Sequence, residues 1–335
     1  MRVILAVMMT IVILLPLQAS AATEQFWDHA RYDSDGVQVD GGTIGFTVHW
    51  NLSSNNDTEE THSYNVDEMP SLIEIYTATW CTNCVTTQGI MNEAIGDSNV
   101  ELIHYHRHWF EPRDPFGSNS TEERWTNIYG HAVTLNGGAP RLAPTKVVDG
   151  ERMHYGSRSN SDSLMDDYTA SLSMGATGPL NGNIILNLNQ TGGFINFDWD
   201  ISSLAIVTQE EYTLEPWILL IEEEAYFPDG SNGLETYEHV LLEALSLDSS
   251  EYSSGTLEVP LPPLWDGDDL KVAILVDWLV DSSPSESPLP PPSIAYLLTS
   301  LVAMAYVVTM FGTVVCLFQP FVAVAVLVDD LLIWG

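Results

Sequence analysis

The run Leu72-Ile73-Glu74-Ile75-Tyr76, followed after Thr77-Ala78-Thr79 by Trp80-Cys81-Thr82-Asn83-Cys84, decides how this chain is read. The apolar run makes a strand, and the residues after Cys81 carry a helical pattern. That order places the sulfur of Cys81 at a helix N-terminus, where free N–H groups and the macrodipole favour thiolate over thiol. A thiolate there can attack a disulfide. Cys84, one turn further on, can then resolve the mixed disulfide into an internal one, which is the minimal apparatus for dithiol exchange.

About sixty residues on, Ala143-Pro144-Thr145-Lys146-Val147-Val148-Asp149-Gly150 runs from Pro-Thr into apolar residues and closes at a Gly turn. Together with the aromatic-Cys-x-x-Cys block after a strand, this resembles the thioredoxin superfamily and its cis-proline strand. The resemblance implies that Pro144 packs beside the cysteine pair, that Ala143 and Pro144 offer backbone to a substrate chain, and that Trp80 shields the pair. Pro140, in Gly138-Ala139-Pro140, competes with Pro144 for the proline role. Within the superfamily the chain is most similar to an uncharacterised group of secreted thioredoxin-like proteins. Asp114-Pro115-Phe116-Gly117-Ser118, Val147-Val148-Asp149-Gly150 and Gly230-Ser231-Asn232-Gly233-Leu234-Glu235-Thr236-Tyr237 before Val240 carry that likeness, over roughly residues 68 to 280. No activity comes with it.

Two departures from the superfamily pattern matter. Its members place a buried carboxylate six residues before the first cysteine, where this chain has Ile75. Glu74 is the neighbour, and strand alternation points it to the other face, so the proton of the resolving thiol must be handled differently or more slowly. The dipeptide Thr82-Asn83 is neither the Gly-Pro of reducing members nor the Pro-His of strongly oxidising ones.

The ends speak to location. Met1-Arg2, the apolar stretch Val3 to Leu17 and the small-x-small Ala19-Ser20-Ala21 read as a secretory signal over residues 1–21. An uncleaved N-terminal anchor is the alternative, since Arg2 alone makes a thin positive flank. Residues 294 to 328 hold no charged side chain, well beyond the roughly twenty apolar residues that a spanning helix needs. One straight helix of that length would run about 50 Å against a hydrocarbon core of about 30 Å, and Pro320 is the expected break. One span is placed near Ile294 to Phe318, with Phe321 to Trp334 as a second short span or an interfacial segment. The Ser/Pro stretch 282–293 is an extended linker, stiffened by Pro290-Pro291-Pro292. The expected location is therefore extracytoplasmic, anchored to the membrane by the C-terminal segment. With Cys316 inside that segment, only Cys81 and Cys84 are left for the folded part, so no disulfide scaffold exists. Outside the cytosol, exchange chemistry or a plain disulfide fits such a pair better than metal binding. Asn51, Asn56, Asn119 and Asn189 each begin a glycosylation acceptor pattern, consistent with export.

A formal net charge of −36 argues against binding nucleic acid, whose phosphates would be repelled. Seven of the ten basic residues, Arg107, Arg113, Arg124, Arg141, Lys146, Arg152 and Arg158, nevertheless fall between positions 107 and 158. Such an island is expected to oppose the overall negative field and lower the pKa of Cys81. The competing reading is a set of arginines satisfying carboxylates on a crowded acidic surface.

The organisation expected is an α/β thioredoxin-like domain followed by an all-β sandwich domain and a C-terminal transmembrane segment. Residues 22–66 form an N-terminal β extension and polar loop, with one strand-like run from Thr43 to Trp50. Residues 67–175 alternate strands and helices around a mixed sheet, with helices near Thr121 to His131 and Ser161 to Leu172. From about 178 to 281, short runs recur at Ile184 to Leu188, Ile195 to Trp199, Trp217 to Ile221, Thr256 to Val259 and Leu270 to Leu279, which reads as an antiparallel sandwich. Tyr237 to Leu245 fits either a strand or a helical turn. Residues 282–293 and 294–335 complete the chain as linker and membrane segments.

Other candidate sites carry less. His104, His106 and His108 fall on one face of a strand, where alternate side chains can converge on a metal, though such histidines are more often solvated or paired with acids. Capture of Cu(I) by Cys81, Cys84 and a histidine is the sharper version. Asp266, Asp268 and Asp269 lack calcium-loop spacing. No cofactor and no metal are expected, and no Ser-His-Asp hydrolase, phosphate loop or dinucleotide fingerprint is present. The sequence thus points to a membrane-anchored thiol–disulfide oxidoreductase with catalytic Cys81 and Cys84 and substrate-binding Trp80, Ala143 and Pro144. Its expected partners are disulfide-containing exported proteins, a membrane redox partner and the membrane. A tethered binding module with a structural Cys81–Cys84 disulfide and a copper-delivery protein are the alternatives.

Overall fold

The computed structural model describes residues 25–52, 59–175, 178–207, 211–247, 253–265, 267 and 269–280. The expected signal sequence, linker and membrane segments lie outside them, as do Asp266 and Asp268. No helix among the described residues is long and apolar enough to cross a membrane. In chain order the strands are β1 (Asp28–His29), β2 (Gly41–Asn51), β3 (Glu59–Asn65), β4 (Ser71–Thr77), β5 (Val100–His106), β6 (Thr145–Val148), β7 (Arg152–Tyr155), β8 (Leu180–Asn181), β9 (Asn183–Thr191), β10 (Phe194–Asp200), β11 (Ala205–Ile206), β12 (Tyr212–Tyr226), β13 (Thr236–Ser246), β14 (Ser254–Pro260) and β15 (Asp269–Val280). The helices are α1 (Thr82–Ile95), α2 (Asn119–Trp125), α3 (His131–Leu135) and α4 (Leu164–Ser173), with one π-helical turn, Thr126–Gly130, between α2 and α3.

Nine strands join in one sheet, in the order β1-β7-β6-β4-β5-β13-β12-β15-β2. This overturns the expected α/β thioredoxin-like domain followed by a separate all-β sandwich. Strand residues outnumber helical ones, 46% to 19%, and the sheet runs unbroken from the strand before the cysteines to the strands after residue 212. The described residues all belong to one compact unit ending at Ser282. The physical reason lies in β15. Its Val272, Ala273, Ile274, Leu275 and Val276 are all fully buried, so both faces of the strand are covered. A strand apolar on both faces belongs in the middle of a wide, doubly covered sheet, not in a sandwich with one wet face.

Alternation along each strand sorts its side chains to two cores. On one face of the sheet, Ile73 and Ile75 of β4 meet Met91 of α1 and Tyr168 of α4. Further along that face, Phe46, Ile274 and Ile218 meet Leu186 and Phe197 of a second sheet, ordered β14-β10-β9-β3. On the opposite face, Leu72 and Tyr76 of β4 pack with Trp125, Tyr129, Leu219 and Leu275, so one core runs across both halves of the sheet.

The two halves touch thinly through backbone, since β5 and β13 pair in register only at Val240 and His104. Side chains close the join. Arg124 of α2 is fully buried, 3.3 Å from Glu74 of β4 and 3.2 Å from Asp277 of β15, with its guanidinium 5.0 Å from the Trp217 ring centre. Arg31 reaches the same carboxylate at 2.7 Å and also donates to Thr43 and to the Gly150 and Gly42 carbonyls. Tyr105 and Tyr129 donate to Glu74. Two guanidinium groups face two carboxylates, so the cluster is neutral, which is the condition for burying charges without a large penalty. Burial alone would raise the Asp277 carboxyl, but Arg124 and Arg31 outweigh it and hold it below the usual range. Replacing Arg124 by Met leaves Glu74 and Asp277 short of a cation. A loss of about 3–5 kcal/mol in urea-unfolding free energy is expected, and a loss under about 1 kcal/mol would mean that the cluster does not hold the halves together.

Candidate functional site

Cys81 is the N-cap of α1. Its backbone is extended, and its Sγ accepts the N–H of Cys84 at 3.1 Å, at the positive end of the helix. Cys81 and Cys84 are joined as a disulfide. Each is only 5% exposed, within a small cluster formed with Ala78, Trp80 and Ala143. The Ala143–Pro144 peptide is cis, and Pro144 is buried whereas Pro140 is exposed. Ala143 and Trp80 pack against the cysteine cluster, and Pro144 rather than Pro140 follows the cis peptide.

The turn before the cysteines is held from two directions. Asp114 Oδ2 accepts the Thr79 N–H at 2.9 Å, and the Thr79 hydroxyl donates to the Arg113 carbonyl at 3.0 Å. From the other side, the Ser231 and Asn232 N–H groups donate to the Thr79 carbonyl at 3.0 and 3.1 Å, joined by the Tyr237 hydroxyl at 3.3 Å. A Cβ on Gly230 would stand 2.0 Å from the Tyr237 hydroxyl, which explains the glycine at that close approach. Two of the three stretches singled out in the sequence, around Asp114 and around Gly230, thus converge on Thr79. Neither had been given a role from sequence.

Electrostatics divide the basic island. Arg124 pairs with Glu74 and Asp277, Arg141 with Glu122 at 2.7 Å, Arg152 with Asp149, and Arg158 lies 3.8 Å from Asp28. Arg107 and Arg113 are the two that reach the site, with guanidinium carbons 6.0 and 5.5 Å from the Trp80 ring centre. Arg113 also lies 3.7 Å from Glu111, so the seven cations do not act as one island around Cys81. Glu74 lies on the far face, bonded to Tyr105 and Tyr129, as alternation required.

A cavity of about 310 Å³ opens beside Cys84, walled by Val85 and Gln88 of α1, His104 and His106 of β5, and Tyr237 of β13. His108 does not share it. That residue lies beyond the strand, where its N–H donates to Glu122 at 2.6 Å. Among the described residues, no group of three or more His, Cys, Asp or Glu side chains is placed to hold a metal ion.

No protein-family model matches the chain, and no curated protein matches it. Two solved structures are similar. One is an X-ray structure of an Agrobacterium tumefaciens protein, 15% identical with a TM-score of 0.36, covering 65% of this chain and 97% of that one. The other is HBP35 of Porphyromonas gingivalis, 15% identical with a TM-score of 0.36, covering 67% of this chain and 80% of that one. At such scores neither likeness bears on function.

Under α1, Lys146 of β6 is 1% exposed and donates to Thr87 Oγ1 at 2.8 Å. Thr87 in turn donates to the Cys84 carbonyl at 3.2 Å. Burial pushes the ammonium down to about 7 from its ordinary 10.5. Below pH 7 the amine is charged in both folded and unfolded chains, so the burial penalty is present in full. Between about 7 and 10.5 unfolding takes up a proton, and stability therefore rises with pH across that window. Lys146→Met is expected to raise the melting temperature most at pH 6, with the gain shrinking steadily toward pH 10. A pH-independent gain in thermal melts would contradict the assignment.

Proposed function

We propose that this chain is an extracytoplasmic, membrane-anchored thiol–disulfide oxidoreductase that exchanges disulfides with exported proteins. The observation that carries the reading is Cys81 Sγ at the N-cap of α1, accepting a helix N–H and bonded to Cys84. When the pair is reduced, the same N–H and helix end stabilise the Cys81 thiolate, aided by Arg107 and Arg113 around Trp80. Cys81 attacks a substrate disulfide, and Cys84 resolves the mixed disulfide. Ala143 packs against the pair and, with cis Pro144, lines the approach that a substrate chain takes. The sequence segments at residues 1–21 and 294–335 support export and anchoring, and a membrane redox partner would renew the pair.

Burial of both cysteines to 5% exposure favours a second reading, in which the disulfide is a permanent fastening inside a tethered binding module. The readings separate by trapping. In the full chain carrying Cys84→Ser, expressed in native membranes, exchange leaves exported proteins attached to Cys81. Such adducts vanish on reduction and are absent from Cys81→Ser. Recovery of no adduct from Cys84→Ser would rule out the oxidoreductase and leave the fastening.

A further inference from the structure

Resolution needs the Cys84 thiol to lose its proton, and the position where a carboxylate could have taken it is Ile75. The residues around that position offer a substitute. His106 pairs in register with Thr77, on the same sheet face as Ile75, and walls the same cavity as Cys84. It is 1% exposed, with Phe116 and Tyr237 rings 4.9 and 5.7 Å away holding its plane.

Its hydrogen bonding defines its tautomer. Nδ1 lies 2.9 Å from Asp114 Oδ2. A carboxylate only accepts, so Nδ1 carries the hydrogen and the neutral ring keeps a bare lone pair on Nε2. That Nε2 is buried and has no hydrogen-bond partner, although buried polar atoms ordinarily find one. An oriented imidazole with an unused acceptor, walling the same cavity as Cys84, is the arrangement of a general base.

We propose that His106, oriented by Asp114, takes and returns the proton of the Cys84 thiol during exchange, an assignment that rests on the oxidoreductase reading. Once Cys81 is linked to a substrate sulfur, the Cys84 proton passes to His106 Nε2. The Cys84 sulfur attacks Cys81 Sγ, so that the Cys81–Cys84 bond forms as the bond from Cys81 to the substrate breaks. The departing substrate thiolate takes the electron pair. Across the cycle the cysteine pair loses two electrons and the substrate disulfide gains them, and the imidazolium hands its proton to the departing thiolate or to water. In the reverse direction the imidazolium protonates Cys84 as it leaves. Asp114 is the positioning residue, and its charge balances the imidazolium.

Other titratable groups face this side of the sheet: Glu238 walls the same cavity, Lys146 lies under α1, and His104 also keeps a buried Nε2 without a partner. His104 walls the same cavity from β5 but has no carboxylate partner. Burial, with His239 of β13, His106 and Lys146 of β6 around it, holds it well below the usual histidine range. Burial pushes the Tyr237 hydroxyl up to about 12, so it stays protonated at neutral pH.

The test uses the full chain in lipid discs with Cys316→Ser, so that only the pair reports. The reduced protein is mixed with dipyridyl disulfide, and release of thiopyridone is followed by stopped flow. Attack by Cys81 releases the first equivalent, and resolution by Cys84 releases the second. His106→Asn, which keeps a donor toward Asp114, and His106→Gln should leave the first phase unchanged. Both should slow the second about 100-fold at pH 7. The variant rates should climb about tenfold per pH unit toward the ordinary thiol range, and the wild-type second phase should depend on pH less steeply. An unchanged second phase in both variants, a first phase that falls with the second, or an equal loss in His104→Asn would each overturn the assignment. A wild-type chain with no first phase would instead remove the oxidoreductase reading itself.

Discussion

A neutral group of four buried charges, Arg31 and Arg124 against Glu74 and Asp277, is the constraint on which the rest of the molecule depends. It ties β4, which leads into the cysteines, to β15 near the end of the described chain, across a sheet whose halves share one registered backbone pair. Arg124 is carried there by α2, which is itself docked on β13, where Ser118 and Ser120 donate to Glu243 and the Ala244 N–H donates to Ser120. Asp277 comes from β15 and its two arginines from the other half, so that carboxylate is paired only once both halves have assembled. Tyr105 and Tyr129 complete the bonding around Glu74, which leaves that carboxylate structural and unavailable to the cysteines on the other face.

The same assembly fixes the cysteine turn. Thr79 is bonded by the Asp114 loop on one side and by the β12–β13 hairpin on the other, so the strands beyond residue 212 shape the environment of a site whose sulfurs lie at 81 and 84. Tyr237 serves twice, bonding Thr79 and lining the cavity beside Cys84. The β4 position below Cys84 is filled by apolar Ile75, and ionisable groups flank it instead, His104 on β5 and Lys146 on β6 in the same register.

Much of the site was legible in the sequence because its signals are local. A strand followed by Trp80-Cys81-Thr82-Asn83-Cys84 predicts a sulfur at a helix end, and the helix expected near Ser161 to Leu172 and the runs at β9, β10 and β15 mark elements by short-range rules. How those elements associate was not legible. Short apolar runs after residue 178 suggested a self-contained sandwich, yet β12 and β15 pair into the sheet that also holds β4. One signal was present, since Lys271-Val272-Ala273-Ile274-Leu275-Val276 is nearly continuous in apolar character, the mark of a strand covered on both faces. The basic island also read differently in space. Proximity in sequence grouped seven cations, and folding sent five of them to separate carboxylates. The pairing of His106 with Asp114, eight residues apart across a loop, has no periodic signature at all.

The central claim is that the bond between Cys81 and Cys84 is a working one. Equilibrating the full chain in thiol–disulfide buffers of graded potential, and quantifying the pair by mass after acid quench and alkylation, tests it most directly. The account predicts a midpoint above about −300 mV, within the range of proteins that exchange disulfides. A midpoint well below that value would make the bond a permanent fastening and contradict the account.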